Sequence, residues 1–254
     1  TLYAADKGKV DWFDDRQWKV IEANMRLFSE AVATARCAGV CFDQEPYGDN
    51  PWLYKGRFPG KTFAEVAAQA RKRGAQFMRA VQSAVPKMKM LDFFQLGYFG
   101  DTSLCHRTWR DGDRPNSLTE PDSAVRMQKL SERAWALYCP FFIGMLDAVG
   151  PEVVLIDGNE LAYYYGTPYD FYYHYHELYR SSLILIPKEL RSKYLNQTRA
   201  GNAVYYDLLM TDGYGQTRES PVHVPSHYMT PGERLQFLEQ NVYYGLATAD
   251  EYLW

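Results

Sequence analysis

Apolar residues recur at helical spacing in several long stretches, and short apolar runs separate them. After Asp15, a residue suited to cap a helix, Trp18, Ile21, Met25, Phe28, Val32 and Ala35 form one stripe. Gly39 closes that helix, and Val40-Cys41-Phe42 reads as a buried strand that begins at once. A second stripe runs through Phe63, Val66, Ala67, Ala70, Phe77, Met78 and Val81. It opens on Thr62-Phe63-Ala64-Glu65, a capping box in which Thr62 satisfies a free amide and Glu65 reaches back. The charge run Arg71-Lys72-Arg73 reads as its solvated face.

Leu91 to Tyr98 is a second strand candidate, and Val125, Leu130, Ala134, Leu137, Phe141 and Met145 predict one helix over residues 122–148. Pro151 breaks it, and Val153-Val154-Leu155-Ile156 follows as a third strand. Phe171, His174, Leu178 and Ser182 return to helical spacing. Residues 188–210 read as a further helix, although Ala203 to Met210 reads equally well as a strand. Thr230-Pro231-Gly232-Glu233 is another capping box, with Pro at the first helical position, and the chain finishes on a strand candidate, Glu251 to Trp254. Thr1 to Ala5 has the character of a strand's tail.

Apolar strands alternating with amphipathic helices predict an α/β fold with a mostly parallel sheet. Three strands end in polar residues followed by loops rich in Gly, aromatic and acidic residues, as at the catalytic face of a TIM-type (β/α)8 barrel. The expectation is therefore one barrel domain over residues 1–254. Six strand candidates are visible where eight are needed, so either strands go unrecognised or the first one or two repeats are absent. A doubly wound open sheet is the alternative, but no GxGxxG opens a helix after a strand.

Composition narrows the function. With 28 basic and 31 acidic residues and a net charge of −3, the chain has no cationic surplus for a phosphate backbone, which argues against a nucleic-acid partner. No apolar run reaches the length of a membrane span. The four cysteines, Cys37, Cys41, Cys105 and Cys139, have no CxxC spacing, and Cys37 and Cys41 read as small core residues. The chain opens at Thr1 with no visible signal peptide, which leaves the compartment open. The 21 Tyr, 13 Phe and 6 Trp make 16% of the residues aromatic. Flat rings with hydroxyl tips suit the C–H faces and hydroxyl rims of sugars, so a carbohydrate is the expected partner.

The candidate chemistry lies at strand ends. Asp43 and Glu45 follow the first strand at i and i+2, where side chains share a face. Two crowded carboxylates cannot both ionise freely, which raises one toward the range of an acid catalyst. Asp157 and Glu160 end the third strand and supply a second pair. Glycosidic cleavage needs two carboxyl groups across the bond, roughly 5–5.5 Å apart for retention or 6.5–9.5 Å for inversion. The alternatives are salt bridges from Asp43 and Glu45 to a loop base such as Arg57, and a helix cap by Asp157 or Asn159.

Tyr47, Trp52, Tyr98, Trp109 and Trp254 are candidate sugar platforms, with Trp52 expected as an exposed indole on the turn Asn50-Pro51-Trp52. Gln95 and Asn159 are candidates for bonding hydroxyls. No HExxH motif appears, no cofactor is expected, and a metal hydrolase would have to combine Asp43 and Glu45 with a loop histidine, His106, His223 or His227. Ser/His/Asp hydrolysis lacks a GxSxG elbow.

Gly39-Val40-Cys41-Phe42-Asp43-Gln44-Glu45 resembles the strand motif of chitinase-like barrels, in which apolar residues precede Asp-x-Asp-x-Glu; Cys41 stands at the first Asp. That resemblance implies a general acid at Glu45, an Asp43 that orients a substrate acetamide, and roles for Tyr98 and Trp254. Gln44-Glu45-Pro46 also resembles the Asn-Glu-Pro strand end of retaining barrels, with Gln for Asn, and Asn159-Glu160 supplies the Asn-Glu pair without the Pro. Over most of its length the chain is similar to bacterial glycoside-hydrolase-like barrel proteins with Asp-x-Glu-Pro-Tyr-Gly followed by Asn-Pro-Trp. The expected activity is glycoside hydrolysis, with Glu45 as general acid/base, Glu160 as nucleophile or second base, and Asp43 or Asp157 as electrostatic partner. A non-catalytic carbohydrate-binding barrel is the alternative of another class. An exported bacterial protein is the favoured setting.

Overall fold

The structure is a computed structural model and describes residues 10–99, 123–206 and 229–254. Five short strands make one sheet: β1 (Gly39–Phe42), β2 (Lys89–Asp92), β3 (Val154–Asp157), β4 (Thr198–Asn202) and β5 (Tyr252–Leu253). Among the described residues seven α-helices accompany them: α1 (Asp15–Thr34), α2 (Phe63–Val81), α3 (Ser123–Ser131), α4 (Tyr138–Ala148), α5 (Pro168–Tyr179), α6 (Arg191–Gln197) and α7 (Pro231–Ala247). Each strand pairs in parallel with its predecessor, so the spatial order is β1-β2-β3-β4-β5.

This corrects the expected barrel. The described residues form an open five-stranded parallel sheet, half of a barrel's wall, in which β1 and β5 are edges and no closed eight-fold ring exists. The order never reverses either, so the sheet lacks the switch point of a doubly wound fold. Crossovers between parallel strands are right-handed. In an order that always advances the same way, that rule stacks the helices on one face.

The register defines the two faces. Phe42, Asp92, Asp157 and Ala200 lie side by side and point into the helices. Phe42 meets Phe77 of α2 and Phe141 of α4 at centroid distances of 5.1 and 6.5 Å, which fixes this as the back face. Cys41, Leu91, Ile156 and Arg199 form the neighbouring row and point to the front.

Between sheet and helices lies an aromatic core. Phe141 has Trp12, Trp52 and Phe77 within 5.7 Å, and Trp12 stacks on Trp18 at 5.4 Å. Helices α2 and α4 cross with their backbones touching. A Cβ on Gly74 would lie 1.9 Å from the Phe141 carbonyl oxygen, and one on Gly144 would lie 1.8 Å from that of Arg71. Only hydrogen fits at either position.

Several element boundaries move for identifiable reasons. The helix expected over 122–148 is two, α3 and α4, because Pro140 has no N–H for the Ala136 carbonyl and its ring would strike it. The helix expected over 188–210 is cut short: α6 ends at Gln197, whose side chain anchors to the carbonyls of Gly150 and Val153, β4 follows immediately, and 207–210 lie outside the described residues. Strand β4 thus precedes the Ala203–Met210 stretch that had read as helix or strand. Both Thr-Glu capping boxes form, at Thr62 and Thr230, whereas α1 is capped by Asp14 rather than Asp15.

Asp15 instead bonds Arg73 at 2.5 Å, and Arg73, read as solvated, is buried against Trp18 with its Nε on the Trp12 carbonyl. Phe28 leaves the α1 stripe for solvent, its place inside taken by Ser29. Cys37 and Cys41, read as core residues, are exposed. The strand expected at Thr1 to Ala5 lies outside the described residues.

Candidate active site

The front of the sheet gathers three of the four predicted acids. After Phe42 the pleat turns Asp43 to the front, Gln44 to the back and Glu45 to the front again. Gln44 is the anchor: it is buried, with its amide nitrogen donating to the Phe94 carbonyl and the Tyr138 hydroxyl. The Gln44 backbone carbonyl accepts from Trp52 Nε1 at 2.7 Å. Asp43 then accepts from the Glu45 backbone N–H at 2.9 Å, which folds the two acids into one tight turn. The Tyr47 hydroxyl faces both carboxylates, and interaction with Glu45 first, then burial and Asp43, pushes its ionisation upward.

Strand β3 delivers the third acid. Asp157 points back, the Gly158 N–H bonds the Asp92 carbonyl at 2.6 Å, and Asn159 adopts a left-handed φ of 45°. That conformation suits Asn better than most residues. It lets the Glu160 N–H reach the Phe93 carbonyl at 3.1 Å and places the Glu160 side chain on the front. One Glu160 oxygen, Oε2, is buried without a hydrogen-bond partner. Burial, then the charges of Glu45 and Asp43, push this carboxyl from 4.5 to about 7. The exposed thiol of Cys41, on the same face, is pushed to about 11 by burial, Asp92, Asp43 and Glu160 in turn.

An aromatic wall borders the acids. Trp254 stacks on Phe93 at 4.7 Å with planes 15° apart, and its Nε1 donates to the Gly158 carbonyl at 2.9 Å. Tyr163 stands 5.9 Å from Trp254 and 4.8 Å from Tyr205. Its hydroxyl is pushed to about 12, first by burial and then by Glu160.

Other expected site residues sit elsewhere. Trp52 is 1% exposed, so its indole braces the Gln44 turn from inside rather than offering a platform. Asp157 faces the helices, with Oδ2 3.6 Å from Nε2 of His174 on α5. Burial drives both toward their neutral forms, Asp157 up to about 7 and His174 down to about 4. Its neighbour Asp92 is raised well above the ordinary range by burial and by Asp157.

Gln95 is wholly buried on this back face with Nε2 on Asp92 Oδ2 at 3.1 Å, and Tyr98 packs edge-on to Phe94. Asn159 is committed to Asn202 Oδ1 at 2.7 Å and to the Tyr165 hydroxyl. Trp109 lies outside the described residues, as do His106, His223 and His227. Arg57 bonds Asp49 at 2.6 Å instead of the site acids. Among the described residues no group of three or more His, Cys, Asp or Glu side chains is placed to hold a metal ion.

Phe93, Tyr163 and Tyr205 were not singled out in the sequence. Phe93 was accessible from the strand period, because it stands two residues after Leu91. Tyr163 was visible in the Tyr163-Tyr164-Tyr165 run but not separable from its neighbours, and nothing local marked Tyr205.

The fold and site define an α/β protein with a sequentially ordered parallel sheet and a carboxyl cluster at the carboxyl ends of β1 and β3. No family model, curated protein or solved structure matches the chain. Among the described residues no helix is long and apolar enough to cross a membrane.

Proposed function

We propose that the chain is a glycoside hydrolase working through Glu160, Glu45 and Asp43. The observation that carries the reading is the convergence of three carboxyl groups from two strand ends beside the Trp254–Tyr163 wall. Hydrolysis of a glycoside needs one carboxyl protonated and another ionised at the same pH. The front face supplies that asymmetry: Glu160 stands near 7, half-buried and next to two like charges, while Glu45 sits in the turn shared with Asp43 and the Tyr47 hydroxyl.

The roles expected from the sequence therefore exchange. Glu160 is the general acid that protonates the leaving oxygen, and Glu45 is the nucleophile or base, steadied by Asp43 and Tyr47. The aromatic wall takes the apolar face of a sugar ring.

The test uses leaving groups. On unactivated oligosaccharides, Glu160→Gln loses about 10²–10⁴-fold in rate, the usual contribution of a positioned acid. On aryl glycosides, whose leaving group needs no proton, it retains most of its activity, whereas Glu45→Gln fails on both. Undiminished cleavage of unactivated glycans by a folded Glu160→Gln variant refutes the acid role. The wall also supports a reading as a carbohydrate-binding protein, since the rings of Trp254, Phe93 and Tyr163 are held by mutual stacking in which no carboxyl group takes part. Glycan binding without turnover by the wild-type chain selects that reading.

A further inference from the structure

Behind the sheet, on the side away from Glu160, lies a chamber of about 30 Å³. On that measure one water needs roughly 10–15 Å³, so there is room for a group of about two heavy atoms. Asp157, His174, Gln95 and Gly97 line it. Three of its polar atoms have no hydrogen-bond partner: Asp157 Oδ2, His174 Nε2 and Gln95 Oε1. Their residues are 1%, 5% and 0% exposed. Leaving such groups unpaired costs roughly 1–3 kcal/mol each, so three around one space mark a place for an occupant.

The donor and acceptor pattern defines that occupant. Gln95 gives its Nε2 to Asp92, so its oxygen is what remains for the chamber. The other Asp157 oxygen accepts from the Asn159 N–H at 3.0 Å, which aims Oδ2 away from the turn. Glu177 also lines the space and adds to the negative potential at Asp157, while no Lys or Arg contributes to the wall. Burial holds His174 in its neutral form and raises Asp157 to about 7, so above that pH, where the binding is measured, His174 brings no competing positive charge and Asp157 is an anion. The carboxyl oxygens of Asp157 and Glu177 and the Gln95 oxygen disfavour an anion even though neutral His174 can donate through Nε2, and the metal-ligand set is lacking among the described residues.

We propose that this chamber binds a small protonated amine, ammonium or the head of a primary alkylammonium, held by Asp157 Oδ2 and Gln95 Oε1. The site is distinct from the front carboxyl cluster but shares its backbone. Asp157 bonds the N–H of Asn159, the residue whose left-handed turn sets Glu160, so an occupant stiffens the turn that carries Glu160.

Titration of the full chain with methylammonium chloride, followed by calorimetry and by thermal shift at constant ionic strength, tests this. Tetramethylammonium chloride, which has no N–H, and potassium chloride are the comparators. Saturable one-to-one binding of methylammonium alone is expected. Asp157→Asn weakens it by about tenfold or more, the loss of one charge-assisted hydrogen bond. Gly97→Ala does the same without removing a polar group, because its Cβ would stand 2.9 Å from His174 Cε1 and 3.4 Å from Asp157 Oδ2, in the space the ligand needs. Because the readout is binding, a failed glycosidase assay leaves the result intact. If Asp157→Asn does not fold, Gly97→Ala decides alone. Absence of saturable binding, equal binding of either comparator, unchanged affinity in the folded variants, or a crystal soaked in methylammonium that shows water only in the chamber overturns the proposal.

Discussion

Replacing Glu160 with Gln tests the electrostatics of the front face through stability alone, with no substrate required. The carboxyl titrates at 4.5 in the unfolded chain and at about 7 in the folded one. The folded state therefore holds the proton more tightly than the unfolded state between those values. The stability that Glu160 contributes is whole below about pH 4.5 and is lost as pH rises through about 7. A fully buried carboxyl moved that far would account for about 3.4 kcal/mol. Glu160 is only half-buried, and solvent screening brings the figure to about 1–2 kcal/mol.

Gln has nearly the same shape and never ionises. At pH 8 the variant is thus expected to be more stable than wild type by about 1–2 kcal/mol, or about 2–8 °C in Tm for a chain of this size. At pH 4, where the wild-type carboxyl is protonated, the two converge. Thermal or urea unfolding across pH 4–8 measures the difference, and subtraction removes other groups titrating in the same window, Asp157 among them. A variant that tracks the wild type at every pH, or is less stable at pH 8, refutes the electrostatic reading.

Other expectations concern the scaffold and the face. Gly144→Ala drives a Cβ to 1.8 Å from a backbone oxygen, so α2 and α4 must part; unfolding experiments should show a loss of about 1–3 kcal/mol or more, while Gly48→Ala, with nothing within 4 Å of its Cβ, stays within about 0.5 kcal/mol. Phe141→Ala empties the hub between Trp12, Trp52 and Phe77 and is expected to cost about 3–5 kcal/mol by chemical denaturation. With its thiol held near 11, Cys41 should alkylate at a rate that still climbs above pH 9, slowed by any ligand seated on the front face, while buried Cys139 reacts only on unfolding; a rate that levels off by pH 8 contradicts the environment described for Cys41.

Periodicity made the elements legible where one face of an element decided its burial. The stripes of α1 and α2, both capping boxes and the run before Asp157 read directly. What sequence could not show was closure. A barrel and an open sheet use the same alternation of strand and helix, and only the pairing of first and last strands separates them. The acids were legible as strand-end residues, and the odd spacing of Asp157 and Glu160 already sends them to opposite faces; what the sequence did not show was that the helix-facing one is walled in beside His174. Trp52 misled for a related reason: the turn Asn50-Pro51-Trp52 looks like surface, but the indole N–H had a buried carbonyl to satisfy at Gln44. Arg73 went inside because the Trp12 carbonyl needed a donor there.

Strand order has a consequence for synthesis. Because every strand joins the one before it, each finds its partner already made when it leaves the ribosome, and none has to be inserted between two that are already paired. The sheet can therefore grow by accretion from the amino-terminal side at the pace of translation. Glu160 follows the third strand, so all three acids of the carboxyl cluster are synthesised before β4 and β5, and Trp254, the far wall, is made after them. Nascent chains arrested beyond α5 should already resist protease across β1 to β3; uniform digestion of those chains would show that the sheet forms only as a whole.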